Sequence, residues 1–138
     1  MTTAKDIMHA GASCVGQNQS LLDAARMMRD LDVGALPICG ADDRLHGIIT
    51  DRDIVVKCIA EGHDPAVMTA EELAQGAPAC VDVDADISDV LRLMEDHRIR
   101  RVPVLADLRL VGMISEADVA RNLSESRVGH FVEMITTR

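Results

Sequence analysis

The chain has 138 residues, 48% of them hydrophobic, which suffices for one folded module with a sizeable core. A formal net charge of −9 argues against nucleic acid and anionic membrane as partners, since both reward basic patches, and Phe131 as the sole aromatic leaves little for base stacking. No apolar run is long enough for membrane insertion, and the first residues lack a signal-peptide pattern. A cytoplasmic location is therefore expected, with export by a signal-independent route as the alternative.

In chain order, a short strand is expected around Cys14-Val15. A helix over 20–31 follows, where Leu21, Ala24, Ala25, Met28 and Leu31 recur at helical spacing behind a Ser20/Asp23 cap. Two β runs, 35–39 and 46–50, flank a polar turn at 40–44, and a helix starts near Asp51. Residues 62–65 break the chain, and 68–73 lead into a second series. That series has a strand at Cys80-Val81 and a helix over 86–97 carrying Ile87, Val90, Leu91 and Met94 behind Asp86 and Asp89. Strands over 102–105 and 110–115 and a helix from Glu116 complete it. Val128, Phe131, Val132 and Ile135 then mark an amphipathic C-terminal helix, read as core or dimer packing.

The two series are one pattern written twice. Pro37 and Pro103 lie 66 residues apart, and at that offset Thr3-Ala4 aligns with Thr69-Ala70 and Asp23, Arg26, Met28 and Asp30 with Asp89, Arg92, Met94 and Asp96. After the prolines one residue is lost in the turn, where length changes are tolerated, and the offset becomes 65. Leu45, Gly47, Ile49 and Asp53 then align with Leu110, Gly112, Ile114 and Asp118. Each copy reads β-α-β-β-α, with a parallel first crossover and then a hairpin.

Both copies carry Gly-x-x-Ser/Thr-x-x-Asp: Gly47, Thr50 and Asp53, then Gly112, Ser115 and Asp118. A hydroxyl ending a strand and a carboxylate three residues on, at a helix start, form a capping box. The same carboxylate can accept two hydrogen bonds from a vicinal diol, and free amides at a helix start favour an anion. The copies differ at Arg98, Arg100 and Arg101, which replace Asp32, Gly34 and Ala35. Arg101 reads either as a phosphate clamp or as a solvated ion-pair partner.

Of the four cysteines, Cys14 and Cys80 occupy equivalent slots, whereas Cys39 aligns with Leu105. Cys39 is thus either a small apolar core residue or, lying on the strand beside Cys14, a disulfide partner. A zinc site using Cys14 and Cys39 with His46 or His97 is a weaker alternative. No nucleophile–histidine pairing and no HExxH-type motif points to catalysis.

These motifs together resemble the CBS domain, whose paired form is called a Bateman module. The resemblance covers nearly the whole chain. It is carried by Asp6-Ile7-Met8, Leu36-Pro37-Ile38, Val102-Pro103-Val104 and the doubled Gly-x-x-Ser/Thr-x-x-Asp motif. The stretches 34–40, 42–47 and 50–55 are similar to small stand-alone members from actinobacteria. The resemblance implies an α/β (α+β) fold of two tandem CBS units, 1–62 and 63–124, packed with pseudo-two-fold symmetry into one module, followed by the helix over 125–138. It further implies a homodimer and a non-catalytic regulatory role, stress or hypoxia related, exerted on an unknown protein partner. No cofactor is required, but AMP, ATP or S-adenosylmethionine is the ligand expected in clefts between the units. Thr50, Asp53, Ser115 and Asp118 would hold that ligand, with Arg101, Ile38 and Val104 beside them. The alternative is a ligand-free signalling homodimer acting by protein contact, with a disulfide or zinc site at Cys14 and Cys39.

Overall fold

A computed structural model describes residues 2–11, 13–75 and 78–136. Each copy forms the expected series. In the first, β2 (Val15–Gly16) runs parallel to β3 (Ala35–Cys39), which pairs antiparallel with β4 (Leu45–Thr50). In the second, β5 (Val81–Asp82) runs parallel to β6 (Arg101–Ala106), which pairs antiparallel with β7 (Arg109–Ser115). The helices α2 (Leu21–Leu31) and α4 (Ile87–His97) make the crossovers.

Both hairpins carry a bulge at the same place, after Ile38 and after Val104. The prolines sit in middle strands, where a missing N–H is normally costly. The partner strands β2 and β5 are two residues long and reach only Ile38–Cys39 and Val104–Leu105, so Pro37 and Pro103 have no ladder partner on that side.

The crossover helices are capped alike. Ser20 Oγ accepts from the Asp23 N–H at 3.1 Å, and the Asp86 carboxylate accepts from the Ser88 N–H at 3.2 Å and from the Ser88 hydroxyl. Both helices end on a left-handed residue, Asp32 (φ 56°) and Arg98 (φ 51°). Arg98 is thus the C-cap of α4.

The Ser88 hydroxyl and then its N–H hold Asp86 below the ordinary value of 3.8. The Thr3 N–H and then its hydroxyl do the same for Asp6 in α1 (Ala4–Ile7). A carboxylate lowered in the folded state contributes stability above its unfolded pKa, and that contribution is lost as pH falls through the folded value. In thermal melts from pH 6 to pH 2, Asp86→Asn should therefore flatten the decline below about pH 4. An acid limb identical to that of the parent chain would show that Asp86 contributes none of it.

The spatial units do not follow the boundaries 1–62, 63–124 and 125–138. Among the described residues, 13–78 form one unit, while 2–11 join 79–136 in the other. The leader of the first copy therefore packs on the second. A two-residue strand, β1 (His9–Ala10), adds antiparallel to β7 in the order β1-β7-β6-β5, and the Ala4 N–H donates to the Ala85 carbonyl at 2.8 Å. The leader of the second copy, including the 3₁₀ turn Ala70–Leu73, packs on the first, where the Ala70 N–H donates to the Gln19 carbonyl at 2.9 Å.

Each unit has its own core. In one, Leu21, Leu36, Ile38 and Ile49 are buried with Ala70 and Leu73. In the other, Val90, Met94, Val104 and Ile114 are buried with Phe131 and Ile135 of α6 (Glu125–Thr136). The C-terminal helix is thus core packing in its own unit. Arg127 and Glu95 link α6 to α4 with charged atoms 2.7 Å apart, an ion pair whose alignment falls short of a hydrogen bond. Among the described residues no helix is long and apolar enough to cross a membrane.

Candidate functional site

Each Gly-x-x-Ser/Thr-x-x-Asp motif turns its chain from a strand directly into a helix. In the first copy β4 ends at Thr50 and α3 (Asp51–Asp53) begins. The extended backbone at Thr50 (φ −113°) lets its side chain fold back over the first helical turn. The Asp53 N–H donates to Thr50 Oγ1 at 3.0 Å, and the Thr50 N–H donates to Asp53 Oδ2 at 3.0 Å. The other carboxylate oxygen, Oδ1, lies 3.3 Å from Lys57 Nζ one turn on. Asp53 is 18% exposed.

The second copy repeats the capping box where β7 runs into α5 (Glu116–Ala120). The Asp118 N–H donates to Ser115 Oγ at 3.3 Å, and Asp118 Oδ2 accepts from the Ser115 N–H at 2.8 Å and the Ser115 hydroxyl at 2.9 Å. Its Oδ1 has two further partners, Arg121 Nη2 at 2.6 Å and His9 Nε2 at 2.9 Å. Asp118 is only 2% exposed, although both partner side chains are mostly in solvent.

Across the hairpin, Thr50 faces Ala35 and Ser115 faces Arg101. The exposed Arg101 therefore stands beside the second turn, next to Arg100, whose guanidinium is 4.0 Å from Glu116. Ile38 and Val104 are fully buried in their respective cores, opposite Gly47 and Gly112 in the register. The structure thus gathers Ser115, Asp118 and Arg101 at one turn and Thr50 and Asp53 at the other, while the Ile38 and Val104 side chains belong to the interior. Sequence reasoning missed His9, which reaches Asp118 only because β1 pairs with β7. It missed Arg121 as well, although Arg121 lies three residues after Asp118, a separation at which helical side chains meet.

Gly112 lets the leader come this close. A Cβ there would lie 2.8 Å from the His9 carbonyl oxygen and 2.5 Å from Met8 Sδ. At Gly47 the equivalent contacts, to Ala74 and Gln75, are 3.3–3.4 Å and milder. Gly112→Ala should cost about 1–3 kcal/mol through overpacking, and Gly47→Ala less. Urea titrations of the two variants check this, and equal losses would refute the inequality.

Cys14 and Cys39 form a disulfide with Cα atoms 5.8 Å apart. Both thiols are consumed, so neither offers a thiolate for zinc. His46 lies 3.3 Å from Glu71 in the same unit, and His97 belongs to the other unit. Among the described residues no three His, Cys, Asp or Glu side chains converge as a metal site.

Two copies of one strand–helix turn, each placing a Ser/Thr and an Asp at a helix start, match the CBS domain at residues 4–59 and 70–125, and the chain belongs to the CBS-domain family. It is 55% identical to hypoxic response protein 1 of Mycobacterium tuberculosis over 135 residues, covering 98% of this chain and 94% of that protein. It is 34% identical to the CBS domain-containing protein YhcV of Bacillus subtilis, covering 88% of this chain and 86% of that protein. Among solved structures, hypoxic response protein I with two coordinated zinc ions superposes with a TM-score of 0.83 at 56% identity, over 89% of this chain and all of that one. The fold is also that of CBSX2, solved in complex with AMP, with a TM-score of 0.76 at 24% identity over 88% of this chain and 96% of that one.

Proposed function

We propose that this protein is a non-catalytic CBS-pair sensor, connected with a hypoxic or related stress response, that binds an adenine nucleotide or a related adenosine ligand at a Ser/Thr-x-x-Asp turn. The observation that carries the reading is the geometry of the turn itself. A carboxylate, pinned through one oxygen by the preceding backbone N–H, stands at the start of a helix beside a strand-ending hydroxyl. That arrangement suits a ribose diol at the carboxylate and phosphate at the helix amides. The likeness to hypoxic response protein 1 supports the physiological setting. Ligand binding would act by favouring one conformation over another, which requires differential affinity for the two.

Calorimetry with adenosine, AMP, ATP and S-adenosylmethionine tests this reading. At least one should bind saturably, and Asp53→Asn should weaken it by about tenfold or more, the loss of a charge-assisted hydrogen bond. Absence of heat with every ligand at millimolar concentration would remove the reading.

A second reading, a homodimer acting by protein contact alone, has its own support. The first copy exposes Val55, Val56 and Ile59 on the π-helical stretch Ile54–Ile59 that continues α3. The aligned residues of the second copy are Ala120, Arg121 and Ser124. The first copy is thus apolar where the second is largely polar, as a surface covered by another copy would be. Under this reading Ile59→Asp converts a dimer to a monomer in light scattering, and melting is unchanged by any of the four ligands.

A further inference from the structure

We infer that the two turns are unequal as ligand sites: the chain takes one adenosine-class ligand, at Asp53, because Asp118 is closed by side chains of its own unit. This rests on the reading above that these carboxylates hold a ribose. An ionised carboxylate offers about four acceptor positions. At Asp118 three hydrogen bonds and one close contact fill them: the Ser115 N–H and hydroxyl donate to Oδ2, Arg121 Nη2 donates to Oδ1, and His9 Nε2 stands 2.9 Å from Oδ1. A diol could bind only by evicting charge-assisted hydrogen bonds from a carboxylate that is 2% exposed, and such bonds are among the stronger ones in proteins. At Asp53 the contacts are fewer and longer: the Thr50 N–H at 3.0 Å and Lys57 at 3.3 Å. Acceptor positions remain there for a diol. Lys57, half in solvent on a flexible stem, can swing aside at small cost.

The repeat supplies an internal control. At its two offsets His9 aligns with Gln75 and Arg121 with Val56. Val56 has no side-chain donor, and Gln75 is exposed. Both turns are the same capping box, so the difference lies in two side chains rather than in the fold. His9 arrives through the His9↔Met113 register of β1 on β7, and Arg121 through the helical i, i+3 spacing. They are the specificity residues of the second turn, acting by occupying the place a ligand would take.

Calorimetry with adenosine on the full chain reads the stoichiometry. One equivalent per chain is expected, and Asp53→Asn should weaken it at least about tenfold. The double variant His9→Gln with Arg121→Val, which gives the second turn the side chains of the first, should gain a second equivalent. Amide NMR on the parent chain provides a readout without substitution: adenosine should shift residues 50–57 and leave 115–121 in place. Two equivalents in the parent chain, adenosine binding retained by Asp53→Asn, or a folded double variant that stays at one equivalent would each overturn the closure of Asp118. Adenosine silent toward both the parent chain and the double variant would instead overturn the ribose reading on which it rests.

Discussion

Replacing Phe131 by Ala should destabilise the unit formed by residues 2–11 and 79–136 by about 3–5 kcal/mol, the usual cost of deleting a buried aromatic ring. Phe131 is fully buried and shares its core with Val90, Leu91 and Met94 of α4. Without the ring, α6 keeps Ile135 as its only fully sequestered anchor, together with the Arg127–Glu95 ion pair. Neighbouring Val132 is 43% exposed, so Val132→Ala should stay within about 0.5 kcal/mol. Urea unfolding followed by far-UV circular dichroism compares the two. A loss below 1 kcal/mol at Phe131 would mean that α6 is not part of this core.

Reduction of the Cys14–Cys39 disulfide should have the next largest effect, confined to the unit of residues 13–78. The bridge closes a loop of 25 residues in sequence separation, for which chain entropy gives about 3.5 kcal/mol. The second copy serves as a built-in comparison. Val15 pairs with Ile38 just as Val81 pairs with Val104, so Cys80 and Leu105 hold the places of Cys14 and Cys39. Partial burial pushes the Cys80 thiol up, which keeps it protonated and poorly nucleophilic at neutral pH. Differential scanning calorimetry with and without reductant should show a lowered transition, abolished as an effect in Cys14→Ser. Leu105→Cys should install a second bridge with Cys80, visible as a further loss of two mass units. Melting indifferent to reductant would show that the bridge carries no net stability.

The β-α-β-β-α order was legible because the 66-residue offset lets each copy vouch for the other. A weak strand signal at Cys14-Val15 gains weight when Cys80-Val81 repeats it. Capping boxes at Thr50 and Ser115 were legible for the same reason, as were the helices they start. The disulfide stood among the alternatives, since parallel neighbours place Cys14 beside Cys39, but spacing alone could not separate a bridge from two core thiols. The partners of Asp118 were half visible. Arg121 lies three residues away on the same helix, whereas His9 is more than a hundred residues distant and sits on a strand too short to show any periodicity. The π-helical winding of Ile54–Ile59 was hidden as well. It depends on bonds such as Ala60 N–H to the Val55 carbonyl, and Val55, Val56 and Ile59 look like any apolar helical run. Leader exchange was invisible because aligning the copies assigns each leader to the strand series that follows it.

That exchange changes what counts as half of this molecule. Cutting the chain near Gly62 would yield two pieces, each carrying the wrong leader: the first would keep residues 2–11, whose β1 belongs on β7, and lack the Ala70–Leu73 turn that closes its own core. Neither repeat is therefore a self-sufficient folding module, and a gene fragment bounded by the repeat would encode an incomplete core. The fragments that match the spatial units are a continuous 13–78 and a permuted chain in which residue 138 is joined by a linker to residue 2. Losing one repeat would therefore take from the other both its own leader's docking site and part of its core.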